Sequence, residues 1–467
     1  MSQKVDPQKL ADFSEGIIQN ISSDIIPENS VSLSVNLDFD KYMGDATVRK
    51  GTQKLGDKLT GECKGIHHFV KSDGSEKLLA AFGSDIYSYE SGTWTQRTTT
   101  DGSKVRFLTF IDTVLAIDGT TIQASEDGVT WVENGTALDI DNAPDGKVAI
   151  NWKDRVYMAG DPAHPDRLYF SSLYGVPTDD EISWTDETAG YIDIDPEDGA
   201  GGIVGLAKVP GYLLIFKERS IHRWDGRALA PESLIRVGTK SQESHTLGRE
   251  NLFFWNERGV FITNGGYPEK ASIRIRGIIE NTNPDFDISC FSDAENVYIS
   301  VGNIETEDME FNNLVLVFNI EMQVWTTYKF DHKVKFLTRY IDGKEKVVYG
   351  DDDGQVWVLN QGNNDDGNSI DYHLMTQEID FGHRANQKDM NKFIVFNRGI
   401  RNATLFGKKE NGGFQNFGFI NKDIAIINKH MNGRYFKFRI SGTSESDVQI
   451  KGLELSEISI SYGNQER

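Results

Sequence analysis

The residues best suited to chemistry begin with the stretch Ser125–Trp131, which reads SEDGVTW. An acidic side chain beside a glycine, as in Asp127–Gly128, can accept hydrogen bonds from backbone N–H groups in a tight turn. The Val-Thr-Trp that follows favours a strand, in which the large aromatic ring packs against its neighbours. The pattern therefore predicts a structured turn, built from Ser125, Asp127, Gly128, Thr130 and Trp131.

The same stretch resembles the Asp-box, S-x-D-x-G-x-T-W, which recurs on sialidases and many other β-propellers, although the spacer between Asp127 and Gly128 is missing. Hydrolysis of the sialidase type needs an arginine cluster for a carboxylate, a tyrosine paired with an acid, and an acid catalyst. No such constellation is recognisable, and no zinc-protease, phosphate-loop or nucleophile-elbow motif occurs. We therefore predict that the turn is structural and that the chain has no enzyme activity and no cofactor.

Three acidic turns offer carboxylates to a cation: residues 139–146 (DIDNAPDG), 193–199 (DIDPEDG) and 351–354 (DDDG). Calcium takes six or more oxygen ligands, but none of the turns follows the EF-hand order. Asp and Gly are also the residues that tight turns favour, so solvated hairpin turns are the preferred interpretation and calcium stays an alternative. His67 and His68 adjoin on a predicted strand, where neighbours face opposite sides, so we assign no metal site.

A repeat of roughly forty residues organises most of the chain. Each unit opens with a pair of strands, and the units begin at Lys64, Val105, Val148, Ile203, Thr246, Phe291 and Val334. A third strand follows, and an outer strand often opens with tryptophan, as at Trp94, Trp131 and Trp184. Four short strands per unit is the pattern of a propeller blade. The sequence predicts an all-β, seven-bladed β-propeller over residues 64–360, with these tryptophans buried between blades.

Two units depart from the regular pattern. The third unit is longer, and we interpret its surplus, residues 161–186, as an insertion on one face that carries Tyr169, Phe170 and Tyr174. The last unit has only three clear strands. Because a closed ring removes exposed strand edges, we predict that residues 46–55 supply its fourth strand.

The N-terminal arm, residues 1–63, contains the one segment that favours a helix. Asp6 is a good N-cap, Pro7 suits the first helical position, and Leu10, Phe13 and Ile17 fall on one side. A helix this short is marginal in isolation. We therefore expect it to dock on a neighbouring subunit or another protein.

The C-terminal part changes pattern after a linker, residues 361–369 (QGNNDDGNS). Residues 370–467 alternate with strand period but without blade order, which predicts a smaller C-terminal β-domain of β-sandwich type. Its apolar positions are candidates for a core and for a contact layer between subunits. These candidates are Phe436, Phe438, Ile440, Ile450, Leu453 and Leu455.

Composition excludes several classes of protein. The formal net charge of −22 argues against a protein that grips DNA, because sequence-independent binding needs Lys and Arg at the phosphates. Two cysteines, Cys63 and Cys290, are too few for a disulfide framework or a metal cluster. The sequence has no apolar run of membrane length and no secretory signal pattern, so we expect no membrane association and synthesis in a reducing cytoplasm.

Four stretches resemble virion proteins of tailed bacteriophages. They are NSVSLSVNLDFDKYMGDATVRKGTQKLG, GLAKVPGYLLIFKERSIHRWDG, MTQEIDFGHRANQKDMNKF and RYFKFRISG. The family joins an N-terminal arm, a propeller and a C-terminal β-domain, and its members serve as tail hub or nozzle beneath the portal, also described as packaged-DNA stabilisation proteins.

The resemblance implies a homohexameric ring in the virion tail, a structural role in head–tail connection and genome ejection, and no enzyme activity. The expected partners are other copies of the chain, the portal or an adaptor, other tail proteins, and DNA that passes through the lumen without specific binding. An acidic lumen would repel the DNA backbone and let it slide. No functional residue is carried over from the family.

Two other classes of function stay open. One is a receptor- or glycan-binding tail protein, for which the insertion at 161–186 offers aromatic side chains. The other, less favoured, is a propeller glycoside hydrolase. A glycan array and a panel of chromogenic glycosides distinguish them.

Overall fold

The computed structural model describes residues 2–21, 26–40, 43–133, 142–174, 182–228, 230–283, 286–306, 308–410 and 412–461. Over these residues the regular secondary structure is almost entirely β-strand. Its helical segments include two 3₁₀ segments, Gln242–Ser244 and Ala271–Ile275, and one short α-helix, α1 (Arg276–Ile279). In the described part of the chain, no helix has the length and apolarity needed to cross a membrane.

The N-terminal arm forms six short strands. They are β1 (Ser2–Val5), β2 (Gln8–Leu10), β3 (Val31–Val35), β4 (Leu37–Phe39), β5 (Ala46–Val48) and β6 (Gln53–Lys54).

Five consecutive four-stranded antiparallel sheets follow, each with its strands in sequence order. The first contains β7 (Cys63–Val70), β8 (Glu76–Phe82), β9 (Asp85–Glu90) and β10 (Thr93–Thr99). The second contains β11 (Arg106–Phe110), β12 (Thr113–Ile117), β13 (Ile122–Ser125) and β14 (Val132–Glu133). The third contains β15 (Val148–Trp152), β16 (Arg155–Ala159), β17 (Arg167–Phe170) and β18 (Gly190–Asp193).

The fourth sheet contains β19 (Ile203–Val209), β20 (Tyr212–Lys217), β21 (Ile221–Trp224) and β22 (Glu232–Ile235). The fifth contains β23 (His245–Gly248), β24 (Asn251–Asn256), β25 (Gly259–Thr263) and β26 (Glu269–Lys270). The next strands along the chain are β27 (Ser289–Ser292), β28 (Asn296–Glu305), β29 (Glu310–Asn319) and β30 (Val324–Lys329). After them come β31 (Val334–Asp342), β32 (Lys344–Asp351) and β33 (Val356–Val358).

The sixth four-stranded sheet closes on the N-terminal arm. Its order is β31-β32-β33-β6, with Lys54 opposite Trp357 and Gln53 opposite Val358. The pairing residues lie at the end of the predicted range 46–55, whereas Ala46–Val48 pairs with β4 and β40 instead. The described residues thus contain a β-propeller with six four-stranded blades.

The first strands of the units lie side by side around a ring. β7 contacts β11, and the contacts continue through β15, β19, β23, β27 and β31 back to β7. Each of these strands begins within two residues of a unit start read from the sequence. The regular pitch therefore located every first strand.

The C-terminal strands are β34 (Ile370–Thr376), β35 (Gln387–Arg398), β36 (Ala403–Lys409), β37 (Gln415–Ile420), β38 (Ile424–Gly433), β39 (Phe436–Ser444), β40 (Gln449–Ser456) and β41 (Ile458–Ser461). They belong to two sheets. One has nine strands in the order β27-β28-β29-β30-β3-β34-β39-β36-β37. The other has eight, with the path β1-β41-β35-β40-β5-β4, β2 on β40 and β38 on β35.

The nine-stranded sheet joins the repeats to the C-terminal strands. β3 pairs in parallel with β30, at Val35 opposite Thr327, and antiparallel with β34 on its other side. The two C-terminal sheets meet at Phe393 and Phe438, whose ring centroids lie 5.4 Å apart. One continuous core cluster includes residues of both sheets and of β24, which belongs to the fifth four-stranded sheet.

A buried arginine ties the segment 361–369 to this junction. Arg49 donates to both carboxylate oxygens of Asp365, at 2.9 and 2.7 Å, and to the Lys329 carbonyl at 3.2 Å. Its Nε donates to Asn36 at 2.9 Å. Since the Arg49 side chain is fully buried, these bonds are needed to satisfy its charge.

The predicted N-terminal helix is wrong. Residues 2–5 and 8–10 are strands that pair with β41 and β40, and Gly16 has a φ of +61°, which a helix does not accommodate. The open edges of β41 and β40 offer this segment a hydrogen-bonding ladder, whereas a short isolated helix is only marginally stable. Leu10, Phe13 and Ile17 are buried in the chain's own core, so they do not dock on another protein.

Candidate functional site

The Ser125–Trp131 turn is satisfied by its own backbone. The Asp127 carboxylate accepts from the amides of Val129 and Thr130, at 2.8 and 2.7 Å, and the Gly128 amide donates to Ser125 Oγ at 2.9 Å. Partial burial acts to raise the pKa of Asp127, but these hydrogen bonds outweigh it and hold the pKa at about 2. Gly128 takes a φ of +68°, the left-handed conformation that glycine adopts most readily. The geometry fits a structural turn.

Trp131 packs between the first two sheets. It lies against Phe69 and Leu79 of the first sheet and Val114 of the second. Its indole nitrogen is buried and has no hydrogen-bond partner among the described residues.

Trp94 and Trp184 also lie against strands of two sheets, but Trp184 lies in the loop before the outer strand β18 and does not open it, so that part of the prediction is wrong. Trp94 is buried beside Val348 and Val356 of the last sheet, and its indole donates to the Leu55 carbonyl at 2.8 Å. Trp184 is half-buried against Phe110 and Val156.

The six C-terminal candidates are buried within their own chain. They share one core cluster, with exposures of at most 3%: Phe436, Phe438, Ile440, Ile450, Leu453 and Leu455. The structure therefore places them in the core. Their side chains are not available to another subunit, so the suggestion that they form a contact layer is corrected.

In the acidic turn 351–354, the buried carboxylate already accepts hydrogen bonds from the protein itself. Asp351 is buried and accepts from the amides of Asp353 and Gln355 and from the indole of Trp357, at 2.8 to 2.9 Å. Part of the turn 139–146, residues 139–141, lies outside the described residues. In the turn 193–199, Asp195 and Asp198 come together with His222 in a grouping that could hold a metal ion.

In the turn 193–199, a buried lysine already pairs with the Asp198 carboxylate. Lys217, 1% exposed, donates to Asp198 at 2.8 Å, to Asp166 at 2.7 Å and to the carbonyl of Asp195 at 3.0 Å. Burial lowers the pKa of Lys217, but the two carboxylates outweigh it and the net pKa is raised. An ammonium at this distance repels a second cation. We therefore interpret Asp198 as the partner of the buried Lys217 in an ion pair, not as a metal ligand.

The two adjoining histidines serve separate partners. His67 Nε2 lies 2.8 Å from Thr109 Oγ1, and His68 Nε2 lies 2.9 Å from the Glu76 carboxylate. Burial lowers the pKa of His67 to about 4. The pair does not converge on one point.

A cleft beside β17 and β18 combines aromatic and polar side chains. Tyr169 lies directly opposite Tyr191, and Arg167 opposite Asp193. The side chains of Leu168 and Ile192 contribute to the core. Because side chains alternate along a strand, the tyrosines share the other, outward face with the arginine.

The turn before β17 supplies the polar wall of this cleft. Tyr169 donates its hydroxyl to Asp161 at 2.6 Å, and His164 Nδ1 lies 3.1 Å from the same carboxylate oxygen. Partial burial acts to raise the pKa of Asp161, but the bonds from Tyr169, the Ala163 amide and His164 lower it overall. Burial and the Asp161 charge raise the pKa of Tyr169 to about 12. The tyrosine hydroxyl therefore stays protonated at neutral pH.

The cleft contains an open cavity of about 460 Å³, similar in size to a second cavity of about 440 Å³ between the N-terminal arm and β34. Its lining includes Asp145, Asp161, His164, Trp184 and Tyr191. The arrangement offers aromatic surfaces and hydrogen-bonding groups, and it is the strongest candidate for a binding site among the described residues.

Sequence reasoning found part of this cleft. It singled out the insertion 161–186 with Tyr169, Phe170 and Tyr174, but residues 175–181 of that range lie outside the described residues. It assigned no role to Asp161 and His164, which lie within that range, and it did not include Tyr191. The signal for Tyr191 was available, since GYID at 190–193 alternates outward and inward side chains in the strand after the insertion.

Comparison with known proteins gives likeness of fold alone. No family model and no curated protein matches the chain. It is similar to YCF48 from Cyanidioschyzon merolae, at 11% identity over 66% of this chain and 98% of that one, with a TM-score of 0.44.

Two further solved structures are similar in the same way. The extracellular domain of the putative hybrid two-component system BT3049 from B. thetaiotaomicron has 9% identity over 91% of this chain and 62% of that one, with a TM-score of 0.47. The AfRom2 CNH domain has 11% identity over 67% of this chain and all of that one, with a TM-score of 0.40. The chain is an all-β protein that contains a β-propeller.

Proposed function

We propose that the chain is a structural virion protein of a tailed bacteriophage, which forms a ring in the head-to-tail or tail channel that retains DNA and later lets it pass. The proposed architecture is a seven-bladed propeller, with β27–β30 as the blade between the sheets of β23–β26 and of β31–β33. The ring of contacts among seven first strands supports this count. The C-terminal strands form its β-sandwich-like domain, and the ring has no enzyme activity.

The observation that carries the assembly proposal is exposed apolar surface at the outer edge of the C-terminal domain. Phe419 is 72% exposed, and Ile424 and Ile426 are 55% and 52% exposed. Large exposed apolar side chains that occur together mark surfaces that bind another protein.

These side chains lie on two strands at sheet edges. β37 ends the nine-stranded sheet, and β38 pairs only with β35 in the described part of the eight-stranded sheet. Ile424 and Ile426 are two residues apart, so they share one face of β38. An edge strand with unpaired backbone groups is a natural place for another chain to add.

The charge of the chain supports passage of DNA without binding. Six copies would carry a formal charge of −132, six times −22. A lumen of the same sign as the phosphate backbone repels it, and the absence of phosphate contacts permits sliding. The portal or an adaptor and other tail proteins are the proposed neighbours of this ring.

The test is the assembly state of surface variants of the full chain. Truncation after residue 369 is a poor test, because it removes the strands that pair with β1, β2 and β3. The double variant Phe419→Ser and Ile426→Ser leaves the buried core residues unchanged, because both side chains are exposed. Tyr267→Ser, at another exposed aromatic residue (72%), is the control.

Mass photometry and electron microscopy should find rings of the wild-type and control proteins, alone or with a portal protein, and monomers of the double variant. Rings formed equally by the double variant would overturn the role of this edge. A wild-type chain that stays monomeric with the portal and does not enter particles would overturn the ring itself.

A further inference from the structure

We propose that the cleft beside β17 and β18 binds a neutral carbohydrate, with a sugar ring stacked on Tyr191. The inference concerns the propeller face alone and is independent of whether the chain forms a ring. It adds a ligand class to a protein whose proposed role is structural.

Tyr191 is a fixed and accessible aromatic platform. It is 55% exposed, although burial is the more common state of a large aromatic side chain. The Arg167 guanidinium lies 3.7 Å from its ring centroid, and the Tyr169 ring centroid lies 6.2 Å away. These neighbours hold the ring while more than half of it stays open to solvent. An aromatic surface held in this way loses little entropy when a ligand stacks on it.

The polar wall suits hydroxyl groups. Asp161 is held by the Ala163 amide at 2.8 Å, by Tyr169 and by His164, so its position is set before a ligand arrives. His164 is about half exposed and lines the cavity with Asp145. A carboxylate accepts hydrogen bonds from sugar hydroxyls, and an imidazole can accept or donate them.

The charges of the cleft favour a neutral ligand. Arg167 is already engaged by Asp193, with Nε at 2.8 Å and a second nitrogen at 3.3 Å. Asp145 and Asp161 add negative charge to the lining. An anionic sugar would therefore meet like charges and an arginine that is already paired.

The cavity, about 460 Å³, falls within the range typical of small-ligand sites. Its apolar surfaces and few convergent polar groups match the general composition of such sites. Together these features define a site for one or two sugar rings.

Saturation-transfer NMR on the full chain tests the proposal. The probes are the methyl glycosides of glucose, galactose, mannose and N-acetylglucosamine, with lactose and cellobiose as neutral disaccharides and sialyllactose as the anionic probe. We expect at least one neutral probe to bind. Tyr191→Ala should weaken that binding roughly tenfold, the equivalent of 1.4 kcal/mol, whereas Tyr191→Phe and the distant Tyr267→Ala should retain it.

His164→Ala should weaken the binding of the same probe several-fold. Tyr191 is exposed, so an unchanged melting temperature of Tyr191→Ala is expected and separates lost contact from lost fold. Three results would overturn the proposal: no neutral probe binds at millimolar concentration, sialyllactose alone binds, or Tyr191→Ala binds as tightly as the wild type.

Discussion

Two acidic turns that look alike in sequence are stabilised in different ways. At Asp127 the carboxylate accepts from amides two and three residues further along the chain. At Asp198 it accepts from the buried ammonium of Lys217, nineteen residues away, and from Ser220. Both carboxyl groups reach a pKa of about 2. A similar pKa can thus arise from local backbone geometry or from a tertiary ion pair.

The largest expected effect is at Lys217. Lys217→Met should lower the free energy of unfolding by about 3–5 kcal/mol, because it leaves two partly buried carboxylates, Asp166 and Asp198, without their buried cation. Chemical denaturation measures this loss, with Lys147→Met, at an exposed lysine, as the control. If both variants unfold at the wild-type denaturant concentration, the Asp198 turn does not depend on the ion pair.

Trp131 tests whether packing also stabilises the Asp127 turn. Trp131→Ala should cost about 3 kcal/mol, the lower end for loss of a large aromatic side chain, since the ring is only partly buried. Trp131→Phe should cost less, because the indole nitrogen makes no hydrogen bond within the described part of the chain. Thermal or urea unfolding measures both variants. An unchanged melting temperature of Trp131→Ala would contradict packing between the sheets.

Substitution of Asp127 should cost less stability than substitution of Lys217 or Trp131. Asp127→Ala removes an acceptor for two backbone amides in an exposed turn, a change comparable to loss of a helix N-cap, and should cost about 1 kcal/mol. Glu126→Ala, at the exposed neighbour in the same turn, should leave the urea midpoint unchanged. Equal effects of the two variants would show that Asp127 has no special role.

The smallest effect is the acid dependence of the two turns. Both folded-state pKa values, about 2, lie below the ordinary value of 3.8. Each ionised carboxylate therefore stabilises the fold fully above that value, and the stabilisation is lost as the pH falls towards 2. Solvent screens the exposed Asp127, so the difference in stability between wild type and Asp127→Asn should shrink only slightly over this interval.

The same measurement on Asp198→Asn should give a larger acid-dependent change, because Asp198 pairs with a buried lysine. Urea unfolding between neutral pH and the lowest pH at which the chain stays folded measures both differences. Equal profiles would remove the distinction between the turns.

Much of the fold was predictable because it repeats. Strand period, turn residues and pitch are local properties, and they placed the first strand of every unit within two residues. The hydrogen bonding of the Asp127 turn was predictable for the same reason, since Asp127 bonds to Ser125, Val129 and Thr130, all within three residues of Asp127. The cleft was only partly predictable, because Asp161 and Tyr191 are thirty residues apart and meet through the pairing of β17 with β18.

The sequence by itself determined the all-β character, the repeated four-stranded units and the structural turn, because each follows from the order of neighbouring residues. Only the tertiary structure decided that the N-terminal segment is extended, that Lys217 supplies the cation of the Asp198 turn, and that β3 joins the repeats to the C-terminal strands. In each case the residues that stabilise the observed arrangement are distant in sequence from the segment that they contact. Leu10 fits the apolar face of a helix, but an open sheet edge offers its backbone hydrogen bonds and its side chain a core.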